Sequence, residues 1–287
     1  MNKINVNGKS VLVTGCSSGI GRATAVYLAH SGFTVFATVR READAAALRQ
    51  LGEANLIPVC PLDLTQPEQI PAVVELVKGE LERRNIHGLH AIVNNAGGGG
   101  VSPIELLDIN LFRTELETRL LGPLALLQAF LPLIRAAHGR VVWITTPGLM
   151  PIPYVSSIHV PDYAVNCLAR TLNLELKKWN IPSIMVRCGT IQTAAPGRTA
   201  RDLQEALHTW SPEQLALYQD ILEAQQVELN RMDEKRTPPE EVGRVVCDAV
   251  SSEHPRTRYQ VGRLAGLAAV LELLPQTMVD SIMARRG

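Results

Sequence analysis

Three glycines in a short polar run carry the first chemistry in this chain. The run reads Thr14-Gly15-Cys16-Ser17-Ser18-Gly19-Ile20-Gly21. Before it, Ser10-Val11-Leu12-Val13-Thr14 is apolar and β-branched, as a buried strand requires. After it, Arg22-Ala23-Thr24-Ala25-Val26-Tyr27-Leu28-Ala29 has the apolar spacing of a helix. Glycines at such a strand-to-helix turn let a pyrophosphate approach the backbone. The free N–H groups and positive dipole end of the helix then meet the phosphates. An ordinary βα turn also uses glycine, but the strand and helix on either side favour a dinucleotide site. Gly15, Ser17, Ser18, Gly19, Ile20 and Gly21 are therefore expected to hold a dinucleotide.

The end of the next strand, Phe33-Thr34-Val35-Phe36-Ala37-Thr38, selects between the two nicotinamide dinucleotides. An acid there would bond the ribose hydroxyl of NAD(H). This chain has Thr38, followed by Arg40 and Arg41. A guanidinium suits a 2′-phosphate and a carboxylate would repel it. Ser17 could add a hydroxyl donor. The residues favour NADP(H) over NAD(H), the alternative being that Arg40 and Arg41 form a solvated turn.

Strands and helices alternate through most of the sequence. That pattern predicts an α/β fold, a doubly wound Rossmann-like domain with a parallel sheet flanked by helices, over residues 1–287. Leu56-Ile57-Pro58-Val59-Cys60 reads as the third strand. Helices are expected near 42–51, 67–84, 105–136 and 160–179, with another starting at Thr237-Pro238-Pro239-Glu240, where Pro suits the first turn. Gly97-Gly98-Gly99-Gly100 reads as a loose loop beside the dinucleotide site. The charges balance, at 28 basic and 28 acidic residues, so nothing electrostatic argues for nucleic acid. The five cysteines are scattered without metal-ligand spacing, so no metal site and a reduced, cytoplasmic setting are expected. No apolar run of spanning length stands out. The amphipathic stretch from Pro275 to Arg286 predicts a helix on its own domain or a partner subunit; its basic end leaves peripheral membrane contact as the alternative.

The Gly-x-x-x-Gly-x-Gly spacing behind a Thr resembles the short-chain dehydrogenase/reductase family, and further motifs fall in order. Ala91-Ile92-Val93-Asn94-Asn95-Ala96-Gly97 is similar to its fourth strand and Asn-Asn-Ala-Gly motif. Asp63-Leu64-Thr65 resembles its adenine-contacting segment, and Gly139 to Ile144 its fifth strand. Val186-Arg187-Cys188-Gly189-Thr190-Ile191-Gln192-Thr193 resembles its sixth strand and the turn that holds the nicotinamide. Arg258-Tyr259-Gln260-Val261-Gly262 resembles its last strand. The resemblance spans roughly residues 8–262, and the glycine-loop wording is most like the retinol and 17β-hydroxysteroid dehydrogenase branch. It implies that Asp63, Leu64, Asn95, Ala96, Gly97, Gly189, Ile191 and Thr193 join the cofactor site. It also implies a substrate-covering lid over about 194–236, and a dimer or tetramer formed through helices near 105–136 and 160–179.

The family works with an Asn, a Ser, a Tyr and a Lys. Counting from Trp179-Asn180-Ile181 and Cys188-Gly189 puts Ile158 at the Tyr position and Asp162 at the Lys position. Leu121-Gly122 and the strand end at Trp143-Ile144 put Arg119 at the Asn position and Thr146, followed by Pro147, at the Ser position. Thr146 keeps a hydroxyl. Ile158 cannot move a proton, and Asp162 reverses a charge. Arg119 could simply pair with Asp162. Tyr154, one helical turn before Ile158, is a candidate substrate contact or a pocket wall. His159 and Tyr163 share a face that in this family packs against another subunit, which makes His159 a core or interface residue, or a substitute acid–base group.

These residues support several functions. The first is an NADP(H)-dependent reductase of an imine, an iminium or another hydrophobic substrate. Reducing a ketone creates an alkoxide that needs a proton, whereas reducing an iminium neutralises a cation. A carboxylate at 162 would favour that cation. The second is a non-redox cyclase or isomerase using Arg119 and Asp162 as acid, base or charge stabiliser. The third is a catalytically silent dinucleotide-binding protein. Carbonyl chemistry on ordinary lines would need Tyr154 or His159 to act instead.

Overall fold

Short runs of apolar and β-branched residues, buried along their length, assemble the sheet. The computed structural model describes residues 2–193, 210–220 and 236–284. The seven strands are β1 (Ser10–Val13), β2 (Thr34–Thr38), β3 (Leu56–Val59), β4 (Ala91–Asn94), β5 (Arg140–Thr145), β6 (Ser183–Cys188) and β7 (Arg258–Val261). Their order is β3-β2-β1-β4-β5-β6-β7, and each named pairing is parallel. Central strands such as Val11-Leu12-Val13 and Ala91-Ile92-Val93 are fully buried, as helix cover on both faces demands.

The chain reverses direction of winding between β1 and β4. In such sheets the crevice beyond the carboxyl ends of the strands at that point is the natural ligand site. Helix α1 (Gly19–His30) and the helix Pro239–Ser251 pack on one face, where Leu28, Ala29, Val242 and Val246 join the core around Val11 and Val35. Proline opens the latter helix at its first turn, as the sequence indicates. On the other face lie α2's successor α3 (Ile70–Arg83), α5 (Gly122–Ala136) and α6 (Ser156–Glu175), packed through Val77, Leu126, Phe130, Val165 and Ala169. Here α2 is Glu42–Arg49 and α4 is Ile109–Leu116.

Three expectations change. The helix predicted over 160–179 begins at Ser156, despite Pro161 inside it. The segment expected as one helix over 105–136 is built in pieces. A 3-10 turn, Ile104–Leu106, precedes α4, and a π-helical stretch, Glu117–Leu121, joins α4 to α5. The continuous run Ile109–Ala136, with mean hydropathy 1.3, is also long and apolar enough by length and composition to cross a membrane, contrary to expectation. In this fold its second half lies on the sheet through Leu126, Leu127, Phe130 and Ile134. The tail, expected to form a helix on its own domain or a partner subunit, forms two helices, Ala265–Leu271 and Gln276–Ala284, which dock on their own chain. Val279, Met283 and Ala268 bury against Met150.

Most of the lid-like insertion expected over about 194–236 lies outside the described residues. Within it, residues 212–220 are helical. Its Tyr218 hydroxyl donates to Glu105 at 2.6 Å, tying it to the 3-10 turn.

Candidate active site

The dinucleotide cradle forms because only glycine fits three of its positions. Gly15 has φ +71°, and a Cβ there would lie 2.9 Å from the Ala96 Cα. A Cβ on Gly21 would overlap the Gly15 carbonyl. Gly19, at φ +56°, faces Thr193, which brings the turn after β6 against the glycine loop. Thr14 fastens the loop to the Asn95 segment: its hydroxyl accepts from the N–H of Asn95 at 2.9 Å and of Ala96 at 3.1 Å. The Asn95 amide donates to the Thr14 carbonyl at 2.9 Å. Ser18 precedes α1 without capping it, and the first turn carries no acid. The leading N–H groups of α1 therefore face an anion site with nothing to repel it. This set of backbone donors and crowded glycines fits a pyrophosphate. The sequence also assigns Ser17, Ile20, Asp63, Leu64, Ala96, Gly97, Gly189 and Ile191 to the dinucleotide. Gly189 is held by its N–H to the Val261 carbonyl at 2.8 Å. Asp63 is engaged locally, its Oδ1 accepting from the Thr65 N–H and hydroxyl.

Arg40 and Arg41 separate here. Arg41 grips Asp44 through two bonds of 2.9 and 3.1 Å, as a residue of a solvated turn would. Arg40 is exposed beside β2 and forms no ion pair among the described residues.

The second half of the site is charged and buried. Asp162, on α6, is 3% exposed. One carboxylate oxygen accepts from Arg119 Nη1 at 2.9 Å, and the other from the backbone N–H of Thr146 at 2.7 Å. The pairing of Arg119 with Asp162 expected from the sequence is thus present. Arg119 stands in the π-helical stretch, whose wider turn presents it inward. Its Nε also donates to Glu115 at 3.2 Å, and its Nη2 to the Gly98 carbonyl. Sequence reasoning missed Glu115. The signal was there: a Glu four residues before an Arg on a helix is a favoured pair.

The run Gly97–Gly100 is not the loose loop expected. It is a strap laid across these side chains. A Cβ on Gly97 would sit 2.9 Å from the Arg119 Cζ, and one on Gly99, at φ +120°, would overlap Ile158. The Gly98 N–H donates to Glu115 at 3.3 Å, and Gly100 exchanges bonds with the Ser157 hydroxyl at 3.1 and 2.8 Å. Glycine is needed here for close approach. Beside the Arg119–Asp162 pair remains a cavity of about 10 Å³, also lined by Asn94 and Trp143.

Tyr154 lies beside the strap at φ +67°, its carbonyl accepting from the Ser102 N–H at 2.7 Å. His159 is buried near Met150, with no hydrogen-bond partner among the described residues for its Nδ1. Burial pushes its imidazolium below the ordinary range; the Asp162 charge opposes this and Arg119 reinforces it. Of the pair expected to share a subunit-facing surface, Tyr163 remains 37% exposed, with the chain's own tail nearby. Burial, with the tail charges Glu272 and Asp280, pushes the Tyr163 phenol up to about 12. Glu272 fixes the tail in place: it accepts from the buried Arg187, from the Leu149 N–H and from Arg258. Cys188, next to the Gly189 turn, is pushed up to about 12 by burial and by the Asp162 charge.

Comparison with known proteins agrees with this geometry. The short chain dehydrogenase family matches over residues 9–204. A 3-amino-tetrahydro-pyrrolizinone reductase of Xenorhabdus hominickii is 31% identical, covering 88% of this chain and 87% of its own. The estradiol 17-beta-dehydrogenase 2 of Mus musculus is 30% identical over 98% of this chain and 75% of its own. Among solved structures, a short-chain dehydrogenase from Streptomyces avermitilis has a TM-score of 0.73 at 24% identity, covering 96% and 94% of the two chains. An alcohol dehydrogenase from Thermococcus sibiricus, complexed with 5-hydroxy-NADP, has a TM-score of 0.69 at 22% identity, covering 90% and 97%. With its glycine cradle, parallel sheet and Asn95 segment in the places the sequence assigns, this chain belongs to the short-chain dehydrogenase family.

Proposed function

We propose that this protein is an NADP(H)-dependent reductase whose substrate is cationic at the reacting group, an imine or iminium on a hydrophobic frame. The observation that carries the reading is the Asp162 carboxylate, held from two sides by Arg119 and the Thr146 N–H, with Ile158 one turn earlier where a proton donor would stand.

Members of this family bind a nicotinamide dinucleotide, and a reduced nicotinamide supplies hydride when bound. Gly15, Ser18, Gly19, Gly21 and Thr193 would hold its pyrophosphate, and Arg40 with Ser17 its 2′-phosphate. The chain's remaining task is to hold the substrate. Hydride addition to an iminium gives a neutral amine, so no side chain need donate a proton. A buried carboxylate stabilises the cation before reaction, and a fixed one costs no reorganisation. The Xenorhabdus relative is named for a bicyclic nitrogen compound, and its similarity over most of both chains supports a nitrogen-containing substrate here.

The test compares a pyrroline with cyclohexanone at equal concentration, following loss of NADPH absorbance. Turnover of the imine should exceed that of the ketone by about 100-fold, the smaller end of what a positioned acid contributes to carbonyl reduction. Equal or faster ketone turnover refutes the reading. The closed strap supports one competitor, a dinucleotide-binding protein without hydride transfer. Tight NADPH binding with no turnover of either compound would favour it.

A further inference from the structure

The guanidinium of Arg119 occupies a place suited to another cation. It lies between two carboxylates, Glu115 and Asp162, whose side chains are 9% and 4% exposed, while its own is 16% exposed. Two buried carboxylates against one guanidinium leave an excess of negative charge. Asn94 supplies an independent sign. It is 4% exposed, yet neither its Oδ1 nor its Nδ2 has a hydrogen-bond partner among the described residues, and it lines the same cavity as Arg119 and Asp162. A buried amide without partners is costly, and a nearby N–H group would satisfy its oxygen. Arg119 also helps to pin the strap, beside Glu115 and Ser157: its Nη2 bonds the Gly98 carbonyl and Gly97 packs on its Cζ.

We propose that Arg119 is an internal stand-in for the ligand, and that an organic ammonium or iminium ion displaces it from Asp162. This extends the cationic-substrate reading given above to a gate. The incoming N–H donates to the Asp162 carboxylate and to Asn94 Oδ1. Arg119 keeps Glu115 and moves outward, releasing the Gly98 carbonyl. With that bond gone, the Gly97–Gly100 strap lifts from Ile158 and the space beneath it opens. A neutral ketone offers nothing to replace the guanidinium, so it leaves the strap closed.

The test uses Arg119→Ala, which empties the cation position. Guanidinium chloride and pyrrolidinium chloride are titrated against sodium chloride at matched ionic strength, with thermal unfolding as the readout. Both organic cations should raise the Tm of Arg119→Ala with apparent Kd values of about 1–10 mM. They should leave the wild type unshifted at those concentrations, and they should not rescue Arg119→Ala combined with Asp162→Asn. No shift in the single variant, or a shift with guanidinium alone, overturns the proposal. If Arg119→Ala fails to fold, amide hydrogen exchange of the wild type decides. The Gly98 and Gly100 N–H groups should exchange several-fold faster as pyrrolidinium rises, and no change against sodium overturns the proposal. Cation binding without imine turnover would refute the reductase reading and leave the gate intact.

Discussion

The two halves of this site are built from opposite materials. The dinucleotide cradle is made of backbone: three glycines, the uncapped start of α1 and the Thr14–Asn95 clasp. The reaction centre is made of side-chain charge: Glu115, Arg119 and Asp162 under a glycine strap. A cradle of backbone has few ways to change, because each position is fixed by space. A centre of paired charges can exchange partners, because its geometry depends on which cation is present. The difference suggests a fixed cofactor half beside a replaceable substrate half.

The strongest break of that comparison is Gly21→Ala. Its methyl would overlap the Gly15 carbonyl and the Asn95 amide, so the loop must move. NADPH affinity should fall by at least about 100-fold, some 2.7 kcal/mol. Titration of nicotinamide fluorescence checks it, and unchanged affinity would remove the cradle from its assigned role.

Next comes Asp162→Ala, which leaves Arg119 to Glu115 alone. Breaking a buried pair costs about 3–5 kcal/mol, and the remaining carboxylate and partial exposure reduce this to roughly 2. Asp162→Asn keeps the shape and part of the bonding. It should unfold close to wild type in urea while losing at least about ten-fold in imine turnover. Equal losses of stability and turnover in both variants would make the pair purely structural.

Acid tests whether the charged centre is the fold's weak point. His90, beneath the sheet with Nε2 bonded to the Val250 carbonyl, is pushed down to about 4, chiefly by burial and then by Arg140. Its folded value lies below its unfolded one, so the unfolded chain takes up the proton first. Stability should therefore be full above about pH 6.5 and fall toward pH 4, by up to about 3 kcal/mol. His90→Gln should flatten this slope in urea unfolding across that range. A slope unchanged in His90→Gln would pass the acid limit to another group.

The smallest effect separates the two arginines after β2. Arg40→Asp should shift preference from NADPH toward NADH by about ten-fold in the affinity ratio. Arg41→Ala, which loses only an exposed pair with Asp44, should change the ratio little and stability by less than about 1 kcal/mol. Equal effects would place Arg41 back at the phosphate.

The cradle was legible in the sequence because glycine is demanded by local geometry, and the strand and helix around it follow from periodicity. The Arg119–Asp162 pair was legible by counting from fixed turns, even though Arg119 stands in a π-helical stretch. The glycine strap was not. A glycine needed for freedom and a glycine needed for closeness are the same letter, and only Ile158 and Arg119 across the fold distinguish them. The docking of the tail on Met150 was also hidden, because the sequence does not say whether an apolar helix covers its own chain or another.

The carboxylate of Glu272 joins the Leu149 N–H across 123 residues and Arg187 across 85. During synthesis, the loop after β5 and the end of β6 leave the ribosome long before the residue that fastens them. The sheet can form around the dinucleotide cradle first, while the segment leading from Thr146 to α6 waits for Glu272. The reaction centre would then be the last part of the molecule to set, and a cofactor already seated in the cradle could serve as its template.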